Sequence, residues 1–365
     1  MNTAVVGLGF GDEGKGVVTD YLCSLSPRSA VIRFSGGHQA AHTVHLNGTS
    51  HVFSNFGSGT LRGCDTYWGE FCTMEPRGIW KEFNILKSKG VSPKLYIHKD
   101  CRVTTPYDII ANWLSPERAN GTTGVGIWKT VERNQKGITL TASDIYEDSN
   151  LKRIAEYYNN LDHPELPLML DEFYYSVERL KKYFDLLEGY PTNGDFVFEG
   201  SQGLLLDEHI GFIPHVTPSK TNLHNLLQMG YKPSDVFLVT RAYQTRHGAG
   251  PMTNEEYPFT LECVEEATKD NPFQGKLRKT MLDLDLIAGA VIKGVDSTCW
   301  WEDIKKHLVV TCLDQMKELK LTQGGRVLTF IDPSVFVYHI SQALGINGGS
   351  YGNYSPYSNT IVRID

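Results

Sequence analysis

No stretch of this chain approaches the roughly 20 consecutive apolar residues of a membrane span, so no transmembrane helix is expected. Paired cysteine motifs are also missing. Cys23, Cys64, Cys72, Cys101, Cys263, Cys299 and Cys312 are scattered singly with no CxxC, which excludes a disulfide framework or cysteine-ligated zinc and reads as reduced thiols in a cytosol. Positive charge is in deficit: 35 Lys and Arg against 42 Asp and Glu leave −7, arguing against a general nucleic-acid binder while leaving a local basic pocket open. The opening residues, MNTAVVGLGF, lack the basic, apolar and small-residue regions of a signal peptide, so a cytoplasmic location is expected. No repeat, low-complexity tract or Gly/Ser linker divides the chain.

What remains is an ordinary globular composition: 365 residues, 41% hydrophobic and 21% charged, enough for a substantial core. A single α/β domain over residues 1–365 is expected, with a mainly parallel central sheet flanked by helices. TAVVGLGF is a continuous apolar run ending in glycines, as a buried parallel strand entering a ligand loop should be. SAVIRFSGG, DFVFEGSQG, DVFLVTRAYQTRHGAG, HLVVTCLD and GRVLTFID repeat that theme. KGVVTDYLCSL predicts a helix with Val17, Val18, Tyr21 and Leu22 on one face, and the charged stretch from Asn150 to Glu188 is the best helical segment of the chain. Ligands of open α/β sheets sit at the carboxyl ends of strands, where most of the polar motifs here fall.

The first of those motifs is VGLGFGDEGKG, Val6–Gly16. It starts a dinucleotide fingerprint but has Asp12 where G-x-G-x-x-G needs glycine, and it matches a P-loop except that Gly16 replaces the metal-holding Ser/Thr. Glycines let backbone N–H groups approach phosphate, a helix start adds partial positive charge, and Lys15 adds a full one. An aspartate there is repelled by bare phosphate. It becomes favourable if it holds Mg²⁺ or takes a proton from a second substrate beside the nucleotide. In SGGHQAAHTV, Ser35–Val44, His42 follows small residues and suits a general acid, although a lone histidine, His38 included, is more often structural.

Together these stretches resemble the adenylosuccinate synthetase family, whose members carry WGDEGKGK and then GGxNAGHTV. GTTGVGI (Gly121–Ile127) is similar to the family's GTTGxGIGP, FEGSQGLLLD (Phe198–Asp207) to FEGAQGxLLD, HVTPS (His215–Ser219) to YVTSSN, and RAYQTRHGAGPM (Arg241–Met252) to KAYxTRVGxGPF. The resemblance implies that family's P-loop-NTPase-like fold. It also implies a C–N ligase that phosphorylates the 6-oxygen of a purine monophosphate and lets the amine of aspartate displace the phosphate.

Residue by residue, the resemblance makes Asp12 the base for the N1 proton and a ligand of Mg²⁺ together with Ala41, and His42 the acid at the transferring phosphoryl group. Gly11, Glu13, Gly14, Lys15 and Gly16 would hold the donor's phosphates. Thr122, Thr123, Thr217 and Arg246 would line the acceptor's monophosphate, and Gln39 and Gln202 its base. The family reaches an arginine across a homodimer interface, for which TVERNQKG offers Arg133 or Lys136. PFQGKLRKTMLD, with Gly275, Lys276 and Arg278, resembles the loop that clamps the aspartate carboxylates, a task suited to a guanidinium fork.

The departures point to a branch. The family's donor-base motif T-K-x-D reads TCLD here, Thr311–Asp314, so Cys312 replaces lysine while Asp314 remains. SYGNYSPYSNT, with Ser350 and Gly352, departs from S-x-G-P-D-R. A site that loses guanine contacts can accept adenine, so an ATP-type donor is expected. Ser201 in place of alanine puts a hydroxyl where a 2-amino group would need an acceptor, favouring dGMP as in the phage branch that makes the 2-aminoadenine precursor. The alternatives are an adenylosuccinate synthetase using IMP and GTP, which the retained Asp12 keeps open, and a nucleotide-binding regulator without chemistry. Small-molecule substrates, a homodimer, and no nucleic-acid or membrane partner are expected. Trp300–Trp301 and the tyrosines of EYYNN and EFYYSVERL read as packing, RLKKYF as a solvated face, and Asp283 and Asp285 as metal ligands or helix-start residues.

Overall fold

The apolar runs become neighbouring strands of one sheet. The computed structural model describes residues 2–26, 30–116, 121–262, 273–298 and 304–365. The chain opens with β1 (Asn2–Gly7), α1 (Lys15–Leu25) and β2 (Ala30–Arg33), then a hairpin of β3 (His42–Leu46) and β4 (Thr49–Phe53). β5 (Thr66–Trp68), β6 (Thr73–Met74), α2 (Pro76–Ser88), β7 (Leu95–His98) and β8 (Arg102–Val103) follow. Helices α3 (Pro106–Leu114), α4 (Ile127–Gln135), α5 (Asp148–Tyr157) and α6 (Leu166–Tyr183) lead to β9 (Asp185–Leu187) and β10 (Phe196–Glu199). The last third holds α7 (His224–Gln228), β11 (Asp235–Arg241), β12 (Tyr243–His247), β13 (Leu277–Asp283) and α8 (Leu284–Val291). It ends with β14 (Lys305–Thr311), β15 (Leu319–Gln323), β16 (Arg326–Phe330), α9 (Pro333–Ala343), β17 (Ser350–Asn353) and β18 (Ile361–Arg363).

Ten strands form the main sheet in the order β18-β17-β14-β11-β1-β10-β2-β5-β7-β9, all parallel except edge strand β18. This is the α/β fold with a mainly parallel sheet that the sequence predicts. β1 lies between β10 and β11, with Val5 level with Glu199 on one side and Phe237 on the other. The chain leaves β1 towards β2 on one side and later returns through β11 on the other. That reversal opens a crevice at the carboxyl end of β1, where α/β sheets bind ligands.

Strand alternation sorts the core. Val5, Val197, Phe237 and Val309 pack with Val18 and Leu22 of α1 on one face. Ala4, Val6, Phe198, Leu238 and Leu308 pack with α8 and α9 on the other. Each such side chain contributes about 1.5–3 kcal/mol over its exposed state, so α1 is anchored firmly behind its ligand-facing end. A third cluster, around Ile79, Leu86, Phe173 and Val177, holds α2 against α6.

Two expectations need correction. The stretch from Asn150 to Glu188 is two helices and a strand: Asn159 and Asn160 take left-handed conformations (φ 53° and 50°), and Pro164 precedes α6, whose first turn holds Pro167. GRVLTFID supplies β16 to a separate sheet, β12-β13-β15-β16, rather than to the parallel one. Among the described residues no helix is long and apolar enough to cross a membrane. Cys23, Cys64, Cys72, Cys101 and Cys312 are free thiols, while Cys263, Cys299 and Trp300–Trp301 lie outside the described residues. Asp283 caps α8 through the Leu286 N–H at 3.0 Å, and Asp285 accepts the Gly324 N–H at 2.6 Å, so both serve local structure.

Candidate active site

A cavity of about 980 Å³ opens at the carboxyl ends of β1, β10, β11 and β14. Its walls are the loop from Phe10 to Val17, the segment from His38 to Thr43, Gly121–Thr123, Gln202, the turn around Thr217, and Thr311, Cys312, Asp314 and Gln315 with Asn353, Ser355 and Pro356. It lies at the upper end of the volume range of small-molecule sites, which suits more than one ligand.

The first loop folds around its own acid. Glu13 is buried and turns back to accept the N–H groups of Gly9 (3.0 Å) and Gly11 (2.8 Å) on Oε1, while Lys15 Nζ donates to Oε2 at 2.6 Å. A Cβ at Gly203 would sit 2.3 Å from Glu13 Oε1, so that packing requires glycine there. Part of the expected phosphate cradle is therefore occupied from within, and Lys15 faces Glu13. What stays open is the start of α1. Its N-cap, Gly14, is left-handed (φ 93°) and offers no side-chain cap, so the first-turn amides of α1 face the cavity as an anion site. Gly16 also finds its reason here: a Cβ would lie 2.7 Å from His42 Cβ and push that ring away.

Asp12 stands beside this helix start in a left-handed conformation (φ 61°). Burial alone would raise its pKa. The hydrogen bond and charge of His247, with Arg241 and Lys15 behind it, overcome that and hold the carboxyl below its usual value. His247 Nε2 lies 2.9 Å from Asp12 Oδ2, and Arg241 Nε donates to the Asp12 carbonyl.

His42, at the start of β3, places Nδ1 2.8 Å from Oε1 of Glu199 at the end of β10. Burial would raise the Glu199 pKa, but the charge and hydrogen bond of His42, then Arg33 and Ser58, lower it, so Glu199 is an anion that orients the ring. Ser58 Oγ and N–H also donate to Glu199. The remaining nitrogen, Nε2, is the one His42 offers to a ligand. His38 differs. Both of its ring nitrogens rest on carbonyls, Thr73 at 3.3 Å and Val125 at 3.0 Å, and burial lowers its pKa, so it ties loops together.

One wall of the cavity carries residues with unpaired polar atoms. Gln39 Oε1 and Gln202 Oε1 are buried without a hydrogen-bond partner among the described residues, and Cβ positions at Gly37 and Gly36 fall 3.0 Å from them, so the two amide oxygens lie on neighbouring ground. Ser201 lies beside Gln202 Oε1 at Gly36 but off the cavity wall, where its hydroxyl is buried against Ser35 Oγ at 2.9 Å rather than standing at the base as the sequence predicts. Thr122, Thr123 and Thr217 are on the wall, with Thr122 Oγ1 donating to Asn112 Oδ1 at 3.1 Å. Arg246 lies over the Phe10 ring at 4.2 Å and spends its terminal nitrogens on the carbonyls of Pro251 and His215. Burial and the nearby Arg278 lower its pKa to about 10.

Other expected residues lie elsewhere. Arg133 is fully buried, with Nε 2.9 Å from Asp108 Oδ1 and its terminal nitrogens donating to Asp108, Val103 and Ile138, so it presents nothing at the surface to a second protomer. Lys136 pairs with Glu132 at 2.7 Å on the surface. Arg278 binds Glu255 (2.9 Å) and the Gly250 carbonyl (2.7 Å), and it stands with Gly275 and Lys276 off the cavity wall. Ser350 is buried on Ser341 at 2.8 Å, and Gly352 sits inside β17; their neighbours Asn353, Ser355 and Pro356 reach the cavity with Cys312 and Asp314. Ala41 is on the wall near His42. Glu199, His247, Arg241 and Ser58 were not anticipated. A signal existed for one of them, since histidine stands where the resembled TRVG motif has valine.

Known proteins share this fold. Adenylosuccinate synthetase from Plasmodium falciparum, solved fully ligated, superposes with a TM-score of 0.76 at 17% identity, covering 99% of both chains. The succinoaminodeoxyadenylate synthetase of cyanophage S-2L, bound to dGMP and to dATP as an energy donor, superposes with a TM-score of 0.66 at 15% identity, covering 99% of this chain and 95% of that one. At such identities these likenesses show the fold. The family model of adenylosuccinate synthetase matches residues 4–319, and the chain belongs to that family of C–N ligases.

Proposed function

We propose that the protein joins L-aspartate to C6 of dGMP, using ATP or dATP, to give 2-amino-2′-deoxyadenylosuccinate, ADP or dADP, and phosphate for 2-aminoadenine DNA synthesis. Supporting this acceptor are the buried amide oxygens of Gln39 and Gln202 without donors. Guanine's exocyclic 2-amino group carries two N–H donors beyond N1–H. Hypoxanthine has none at C2, so IMP would leave both oxygens unpaired at about 1–3 kcal/mol each. The cyanophage neighbour, which binds dGMP and dATP, favours the same pairing. Cys312 at the donor end, where the resembled motif has lysine, supports an adenine donor.

The residues divide the chemistry as follows. Asp12, held ionised, takes the N1 proton as the 6-oxygen attacks the γ-phosphorus. His42 donates from Nε2 to the transferring phosphoryl oxygens while Glu199 stabilises the imidazolium. The α1 amides hold the donor's phosphates, and the amine of aspartate then displaces phosphate from C6. Mg²⁺, in general use across the family, fits the hard oxygen donors present: the Asp12 carboxylate and the Ala41 carbonyl would hold it. When bound it supplies positive charge to the phosphoryl oxygens. Homodimerisation belongs to this proposal as well.

Asp314, still on the cavity wall, favours the second reading, IMP with GTP, because a carboxylate suits guanine N1–H and N2–H. Phosphate release with aspartate and Mg²⁺ over the matrix of dGMP, GMP and IMP against ATP, dATP and GTP, with product masses, decides between them. Turnover of dGMP with ATP or dATP supports the proposal. IMP with GTP alone supports the second reading, and no turnover anywhere supports a regulator.

A further inference from the structure

Two residues of the β11–β12 segment depart from the resembled KAYxTRVG motif, and both end on Asp12. Arg241, in place of lysine, donates from Nε to the Asp12 carbonyl. His247, in place of valine, brings Nε2 to 2.9 Å from Asp12 Oδ2. Between them, Thr245 Oγ1 donates to the Gly11 carbonyl at 3.1 Å. Tyr243, Thr245 and His247 alternate along β12 and share one face, so the strand acts as a splint along the loop. Asp12 needs one: it is left-handed, between left-handed Gly11 (φ 96°) and Gly14 (φ 93°), and belongs to no element that would set its side chain. His247 lines the cavity, and its Nδ1 is buried with no partner among the described residues, so among those residues Asp12 is the ring's one hydrogen-bonding partner.

We propose that His247 is a positioning residue for Asp12, holding the carboxylate by Oδ2 so that the other oxygen is presented to the purine N1–H. The proposal rests on Asp12 serving as the base. It assigns to this chain a contact that a valine at the same place cannot make. A hydrogen bond to a charged group held in one geometry is worth about 10- to 100-fold in rate when it acts on the reacting atom.

The test is a cycle of H247V, H247Q, D12A and D12A/H247V, with thermal melts to confirm folding. H247V should lower kcat about 10- to 100-fold while the KM values for donor and acceptor change less than about threefold. H247Q, which keeps a side-chain N–H near the position of Nε2, should restore most of the loss. In the D12A background H247V should cost nothing more. Wild-type kcat in H247V, an equal loss in H247Q, or an undiminished loss in the D12A background overturns the positioning role and leaves the proposed function standing. A wild type inactive on every substrate pair overturns both.

Discussion

The middle of the cavity and its two ends are built on different plans. In the middle, each group that would touch the reacting atoms already has a protein partner: Asp12 has His247 and Arg241, His42 has Glu199, and Lys15 has Glu13. At the end proposed for the acceptor, Gln39 and Gln202 keep buried oxygens with no donor among the described residues, and at the end proposed for the donor Cys312 stands where the resembled motif has lysine. Fixed charges aimed beforehand at the reacting centre cost little reorganisation during reaction. Unfilled acceptors leave selection to the ligand that completes them.

The comparison breaks most easily in the middle. D12A should lower kcat by about 10²- to 10⁴-fold, since it removes the proton acceptor, and phosphate-release assays will show it. E199Q should lower kcat by about 10- to 100-fold by removing the charge that orients His42. It also has a pH signature. The folded pKa of Glu199 lies below its usual 4.5, so its stabilisation is complete above that value and is lost as pH falls through the folded pKa. The melting temperatures of wild type and E199Q should therefore converge in acid below pH 4.5.

At the ends the expected effects concern preference. Q202L should reduce the dGMP-over-IMP ratio of kcat/KM about tenfold, the value of one unpaired acceptor, with a smaller change in kcat for IMP. C312K should move the donor preference towards GTP by a few-fold, roughly 1 kcal/mol or less, read from the ratio of kcat/KM for GTP and ATP. A Q202L loss equal for both acceptors would erase the distinction between middle and ends.

The same division explains what was legible in the sequence. The parallel sheet and the strand-end loops followed from apolar runs that end in glycine, because in this architecture the end of a buried strand is also the edge of the crevice. Asp12, Gln39, His42, Gln202 and Thr217 lie on the cavity wall for that reason. Partnerships were not legible. Glu199 meets His42 from 157 residues away, and His247 meets Asp12 from 235, separations that leave no periodic trace. Arg133 shows the opposite failure: a buried arginine paired with Asp108 reads, in sequence, like one free to cross an interface. Ser201 likewise hides a bond to Ser35, 166 residues away, that buries its hydroxyl. The break between α5 and α6 was visible in two asparagines and two prolines, but the charged helical pattern on either side outweighed them.

One competition reaction tests the central claim most directly. Equimolar dGMP and IMP, with aspartate, Mg²⁺ and limiting ATP, would be turned over in a single vessel and the succinyl products weighed by mass spectrometry. The account predicts the dGMP product in at least about tenfold excess, because only that base fills the oxygens of Gln39 and Gln202. An excess of adenylosuccinate from IMP would contradict it.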